Sequence, residues 1–229
     1  METELKEVYE HMLHLGLGAL SHANWHSNFG NYQNDFWPEL SVLQAAHAAE
    51  ILIKARIAQE HPLLIFEQLP KPDNLTQALL SIDQLMENGR TYQYADLPAR
   101  LWATTGIRIP NLQKFQSFGR LRNTIQHFAS PNIDCSLEAV NFIYEVIDPL
   151  INQCWGLFAV DYIDDEYDQG HFVEDLISRG VRFLISGDVV REIENNWIDF
   201  KWPEGDEAYK QEMKSRIEAA LKNHKALSD

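Results

Sequence analysis

The chain has little cysteine, little positive charge and no long apolar run, and each shortage excludes a class of function. Its two cysteines, Cys135 and Cys154, are too few for a disulfide framework and lack the spacing of metal ligands. No apolar stretch approaches the roughly 20 residues that span a bilayer, so no membrane role is expected. Acids outnumber bases 34 to 19, a net charge of −15. The excess is spread along the chain: residues 161–229 hold 17 acids and 9 bases, residues 1–160 hold 17 acids and 10 bases. Neither part has the basic surplus of a protein that tracks a nucleic-acid backbone, so any contact with RNA has to be local. Acidity of this kind favours solubility and repels non-specific polyanion binding. Glycine-rich phosphate loops, metal-hydrolase motifs and nucleophile elbows are missing too, so neither a metal nor a cofactor is expected. The start of the chain, Met1 to Glu7, is acidic and amphipathic, unlike the basic start of a signal peptide, and the expected location is the cytoplasm.

What is present is helical periodicity. Residues 2–20 place Leu5, Val8, Tyr9, Met12, Leu13, Leu15 and Leu17 at amphipathic spacing, with Gly16 and Gly18 expected to loosen the segment. His11/His14 and His22/His26 have helical zinc-pair spacing but no third ligand beside them, and read as surface or packing histidines. Residues 27–38 read as a loop whose Phe29, Tyr32, Phe36 and Trp37 tuck onto the core. Residues 39–60 are alanine-rich and free of breakers, a strong helix with Val42, Ala46, Ala49, Ile53 and Ile57 on its inner face. Prolines make 61–74 a packed connector. Helices follow at 75–88, capped by Asp73 or Asn74, at 95–105 with Pro98 in the first turn, and at 137–158, where Pro149 is expected to kink. The economical fold for residues 1–160 is an all-α helical bundle. Residues 161–229 form an acidic, mostly helical C-terminal extension packed on the bundle or offered to a partner. Its Asp164, Asp165, Glu166 and Asp168 lack the ligand order of a calcium loop and read as a solvated linker. Residues 172–185 are expected to be helical, Gly187-Asp188 to turn, and 207–227 to be an exposed helix.

The stretch that carries chemistry runs from Asn111 to Phe128 and reads as one helix ended by Ser130-Pro131. At about 100° per residue, Phe118, Leu121, Ile125 and Phe128 share one arc, and Gln116, Arg120, Asn123 and His127 share another. Arg122 lies roughly 140° from His127 on that wheel, so plain geometry favours Arg120 as the partner of His127. A helix end of this composition also suits a bland role, with His127 near the C-terminal carbonyls and the arginines paired to core acids.

Arg122-Asn123-x-x-x-His127, set within Leu121-Arg122-Asn123-Thr124-Ile125-Gln126-His127-Phe128, resembles the Arg-polar-x-x-x-His signature of the HEPN superfamily of small all-α domains. A second stretch, Glu50-Ile51-Leu52-Ile53-Lys54-Ala55, is similar to the Glu-apolar-apolar-apolar-Lys-Ala segment common in an early helix of those domains. The resemblance implies a HEPN-like bundle over 1–160 and a metal-independent endoribonuclease, of the kind found in toxins and antiphage effectors, acting as a homodimer on RNA. It implies His127 as general base, Arg122 as the cation on the phosphate and Asn123 as the orienting group, with Glu50 as an acidic neighbour in support; Arg120, which helix geometry favours, stands as the supporting reserve. Members coupled to a nucleotidyltransferase often carry tyrosine two residues after the histidine. Here Ala129 stands there, so control by tyrosine modification is not expected. An antitoxin or nucleotidyltransferase is the partner the resemblance suggests. The alternative is a non-catalytic HEPN-like module that binds a partner protein or a nucleotide.

Overall fold

A computed structural model describes residues 2–30, 33–71, 80, 82–129, 132–164, 169–196 and 200–228. The expectations for Tyr32, the Asp73/Asn74 cap, the start of the 75–88 helix, Ser130-Pro131, and Asp165, Glu166 and Asp168 fall outside the described residues. What is described is all-α apart from one two-stranded ribbon.

The bundle is organised around α2 (Trp37–Glu60), which packs along α1 (Glu2–Asn28) more extensively than any other pair of elements. Alanines at 45, 46, 48, 49, 55 and 58 keep α2 thin, and Ile51, Leu52, Ile53 and Lys54 are all buried, so at this turn the helix is enclosed on every side. The expected inner face is buried in full; the burial simply extends past it. The glycines of α1 do not loosen it. At Gly16 a Cβ would lie 2.8 Å from Leu52 Cγ, so the missing side chain is what allows close approach to α2.

After α2 the chain makes a short 3₁₀ turn (Pro62–Ile65) and strand β1 (Phe66–Gln68), which pairs antiparallel with β2 (Arg90–Thr91) beyond α3 (Ile82–Asn88). The connector thus becomes half of a small ribbon, because the β1 residues lie between its prolines. A 3₁₀ turn at Tyr94–Asp96 leads into α4 (Leu97–Thr105), which has Pro98 in its first turn and stops at left-handed Gly106. Next come α5 (Leu112–His127) and α6 (Cys135–Phe142). The expected helix at 137–158 is broken differently from a simple kink. Residues Ile143–Ile147 widen into a π turn before α7 (Asp148–Trp155), with Pro149 in the first turn of α7. Proline has no N–H to give the preceding turn and its ring crowds the carbonyl four residues back; one wide turn relieves both. Leu137, at the start of this stretch, is 38% exposed, whereas Val140, Ile143, Tyr144, Ile147, Leu150 and Ile151 are buried.

Residues 161–229 join the same hydrophobic cluster as the bundle. Helix α8 (Gln169–Ser178) ends earlier than expected, followed by left-handed Gly180, and residues 181–186 have no regular secondary structure before α9 (Gly187–Asn196). Gly187-Asp188 opens a helix instead of making a loop turn, because the Ser186 hydroxyl accepts from Val189 N at 3.1 Å and caps it. Phe172, Val173, Leu176, Ile177 and Phe183 fill the core from this side. Helix α10 (Glu207–Ser228), expected to be exposed, buries Tyr209 and Met213 completely. The tie between the parts is polar and buried: Asp148 accepts from Ala159 N at 2.8 Å and from Leu184 N at 2.9 Å. In the 27–38 segment Phe29 rests on Trp25 and Trp37 on His26, but Phe36 is 67% exposed, turned outward as the residue that precedes α2.

Candidate functional site

Helix α5 holds its register at both ends. The Asn111 side chain accepts from Lys114 N at 3.0 Å and caps the first turn, while its amide donates to Glu145 Oε2 at 2.9 Å. Phe115 and Phe118 are buried, and Phe118 stacks on Phe142 with ring planes 2° apart and centroids 3.8 Å apart. Leu121 and Ile125 continue that face. Phe128, assigned to the same apolar arc by periodicity, is 92% exposed: α5 has ended at His127 and the chain has turned away.

Beside the buried face, with Phe115 and Gly119 at its base, α5 and the turn at Tyr94–Asp96 flank an open cleft of about 740 Å³. Arg120, Arg122, Asn123 and His127 all line it. The α5 residues around it span an arc of about 160° on the helical wheel, with Arg122 at one end and Arg120 at the other. The two arginines are therefore not alternatives; each closes one edge, and Asn123 and His127 lie between them.

Their environments differ. Arg120 is exposed and has no ion pair among the described residues. Arg122 is only 27% exposed, and its Nη2 stands 3.8 Å from Glu50 Oε2. Glu50 Oε1 in turn accepts from Lys54 Nζ at 2.8 Å, and Lys54 Nζ also donates to Thr91 Oγ1 at 3.2 Å. Glu50 is thus shared by two cations on two helices, and the link from α2 to α5 is mostly out of water. The Glu50–Lys54 pair is part-buried and anchored to β2 through Thr91. Arg122 Nη1 also donates to Asn123 Oδ1, at 3.4 Å, and the guanidinium carbon sits 6.0 Å from the centre of the Tyr94 ring.

Tyr94 is the floor of the cleft. Its ring stacks on Phe115 with planes 2° apart and centroids 4.2 Å apart, and its hydroxyl donates to Phe115 O at 3.2 Å. Burial pushes the phenol well above the usual tyrosine range, with the charge of Arg122 opposing the shift, so the hydroxyl serves as a fixed donor. The ring fits because residue 119 is glycine: a Cβ there would lie 2.6 Å from Tyr94 Cε1. Sequence reasoning missed both residues. The available signal was a glycine inside an otherwise unbroken helix, which costs about 1 kcal/mol against alanine and marks a close approach.

Two of the other histidines are engaged elsewhere. His22 Nδ1 lies 2.7 Å from an Asp164 oxygen, and His26 Nδ1 meets Gln44 Oε1 at 2.5 Å. Among the described residues no three His, Cys, Asp or Glu side chains converge as metal ligands would, and no helix is long and apolar enough to cross a membrane. Comparison with family models, with curated proteins and with solved structures gives no match to this chain.

Proposed function

We propose that the α5 cleft is the active centre of a metal-independent endoribonuclease of HEPN type. The observation that carries this reading is that Arg120, Arg122, Asn123 and His127 line one solvent-open cleft, with Glu50 against Arg122. In this reaction His127 takes the proton of a ribose 2′-hydroxyl, and the 2′-oxygen attacks the adjacent phosphorus. The Arg122 guanidinium stabilises the extra negative charge of the phosphorane, while Arg120 draws the substrate phosphate into the cleft. The bond to the 5′-oxygen then breaks, leaving a 2′,3′-cyclic phosphate and a 5′-hydroxyl once that oxygen is protonated. The cleft of one copy contains one imidazole, so the acid for the second half of the reaction is assigned to His127 of a second copy facing it. A cytoplasmic toxin or antiphage effector held by an antitoxin or nucleotidyltransferase partner is the setting this reading favours.

One observation keeps the non-catalytic reading in play. The cleft volume lies within the roughly 300–1,000 Å³ of small-molecule pockets, so a nucleotide or a partner's anionic group also fits there. Incubating a mixed RNA pool with the protein in EDTA separates the two. Cleavage that His127→Ala abolishes, with cyclic-phosphate ends, supports the nuclease. A folded wild type that cuts nothing, or cuts only without chelator, refutes it.

A further inference from the structure

The charge around the cleft is scarce and its amides are not. Arg122 is partly neutralised by Glu50, which leaves Arg120 as the uncompensated guanidinium of the lining, so the cleft offers phosphate at most two permanent cations among the described residues. Among the described residues no carboxylate lines the cleft, but the protein around it carries a net charge of −15, which repels any longer stretch of backbone. Gln93, Gln116 and Gln126 also line it, all three are exposed, and none makes a side-chain hydrogen bond among the described residues. A primary amide offers a donor and an acceptor side by side, which matches the paired groups on a base edge. Gln93 stands at the start of the Tyr94–Asp96 turn, while Gln116 and Gln126 come from α5, so amides face the cleft from both of its walls.

We infer that the cleft recognises its RNA by base edges read through Gln93, Gln116 and Gln126, and grips only about two phosphates. This rests on the ribonuclease reading for the identity of the ligand, but its two signatures, salt dependence and base preference, are independent of cleavage. Duplex RNA is unsuited, since its base edges are stacked away and it is held mainly through ribose and phosphate contacts. The substrate is a short unpaired segment.

The test is binding of hexamers of 2′-fluoro RNA, which lack the attacking hydroxyl and cannot be cut, read by fluorescence anisotropy. Two phosphate contacts on a single strand give a slope of about −1.4 in log affinity against log salt, so affinity should fall about sevenfold between 50 and 200 mM salt. In a panel varied at each base, wild type should discriminate by about tenfold or more. The triple variant Gln93→Ala/Gln116→Ala/Gln126→Ala, folded by circular dichroism, should discriminate by less than about twofold. A loss above about a hundredfold over that salt range means five or more phosphates and overturns the inference. So does discrimination that survives in the triple variant, or failure of wild type to bind any hexamer. Cleavage of the RNA pool alongside a steep salt slope would sink this inference and leave the nuclease standing. Selective, weakly salt-dependent binding without cleavage would do the reverse.

Discussion

Replacing Gly119 by alanine puts a methyl carbon 2.6 Å from Tyr94 Cε1 and 2.9 Å from Cδ1. Two effects oppose each other. Alanine gains about 1 kcal/mol over glycine inside a helix, whereas forcing a methyl group into a packed site costs about 1–3 kcal/mol. Here the neighbour is poorly able to yield, because the Tyr94 ring is stacked flat on Phe115 and its hydroxyl is tied to Phe115 O. The cost should therefore fall in the upper part of that range, about 2–3 kcal/mol, and crowding should win by roughly 1–2 kcal/mol. Gly18 in α1 is the control: a Cβ there meets nothing within 4 Å, so Gly18→Ala should gain up to about 1 kcal/mol. Urea unfolding of the two variants should therefore separate their midpoints by about 1 M at the slope usual for a chain of this size. Gly119→Ala should also lower RNA cleavage, since the displaced ring lies under Arg122. If Gly119→Ala proves as stable as Gly18→Ala, the close packing of Tyr94 on α5, and with it the floor of the cleft, is wrong.

Four further outcomes follow from other contacts in the structure. Glu50→Gln leaves Lys54 and Arg122 without their shared carboxylate; thermal melts should show a loss of about 1–3 kcal/mol, the part-buried end of the range for a broken ion pair, and cleavage should fall more than tenfold. Asp148→Ala strips the acceptors from two buried backbone N–H groups, at a cost of roughly 2–5 kcal/mol in urea unfolding. Burial raises the Asp148 carboxyl to about 6, outweighing the two backbone donors, and neighbouring Asp161 adds to the rise. The folded protein therefore binds the Asp148 proton more tightly than the unfolded chain, so this group's stabilisation is fully present below about pH 4 and is lost as pH rises through about 6. In wild-type melts across that window Asp148 should contribute up to about 3 kcal/mol, and Asp148→Asn should flatten the dependence. Tyr209→Phe removes the buried hydrogen bond to Val181 O at 2.9 Å and should cost about 1 kcal/mol, seen as a lower melting temperature with α10 still helical.

Periodicity located α2 and α5 well because both are long and carry no internal proline, and the Asn111 cap is a local signal. It misplaced features that depend on distant partners. Nothing around Phe66 says that it will lie beside Thr91, and nothing around Leu184 says that its N–H will meet Asp148. The charged sequence of α10 reads as solvated, yet Tyr209, Met213 and Arg216 find acceptors or core across a chain separation that no local pattern encodes. At the site, the wheel placed Arg120 with Asn123 and His127, and the motif chose Arg122. The cleft includes both, since its width is set by the Tyr94–Asp96 turn on the far wall, which the wheel of one helix cannot represent.

That arrangement bears on why a strongly acidic chain would carry Glu50 beside the motif arginine at all. A guanidinium half removed from water and unpaired is costly, and on α5 alone Arg122 would swing out to solvent. Glu50 holds it against Tyr94 and is itself held by Lys54, so the trio carries one net positive charge and keeps its geometry before any phosphate arrives. A phosphate bound beside Arg122 then competes with Glu50 for the guanidinium, and the competition is strongest when the phosphate carries its greatest charge. In the proposed reaction that moment is the phosphorane. An arginine balanced between a carboxylate and the cleft thus gains more from the transition state than from the bound substrate, which is the only kind of binding that raises a rate. The exposed Arg120 has no such bias and serves ground-state attraction. Arg120→Ala should therefore raise KM with kcat little changed, and Arg122→Ala should lower kcat; equal losses in both variants would contradict this division.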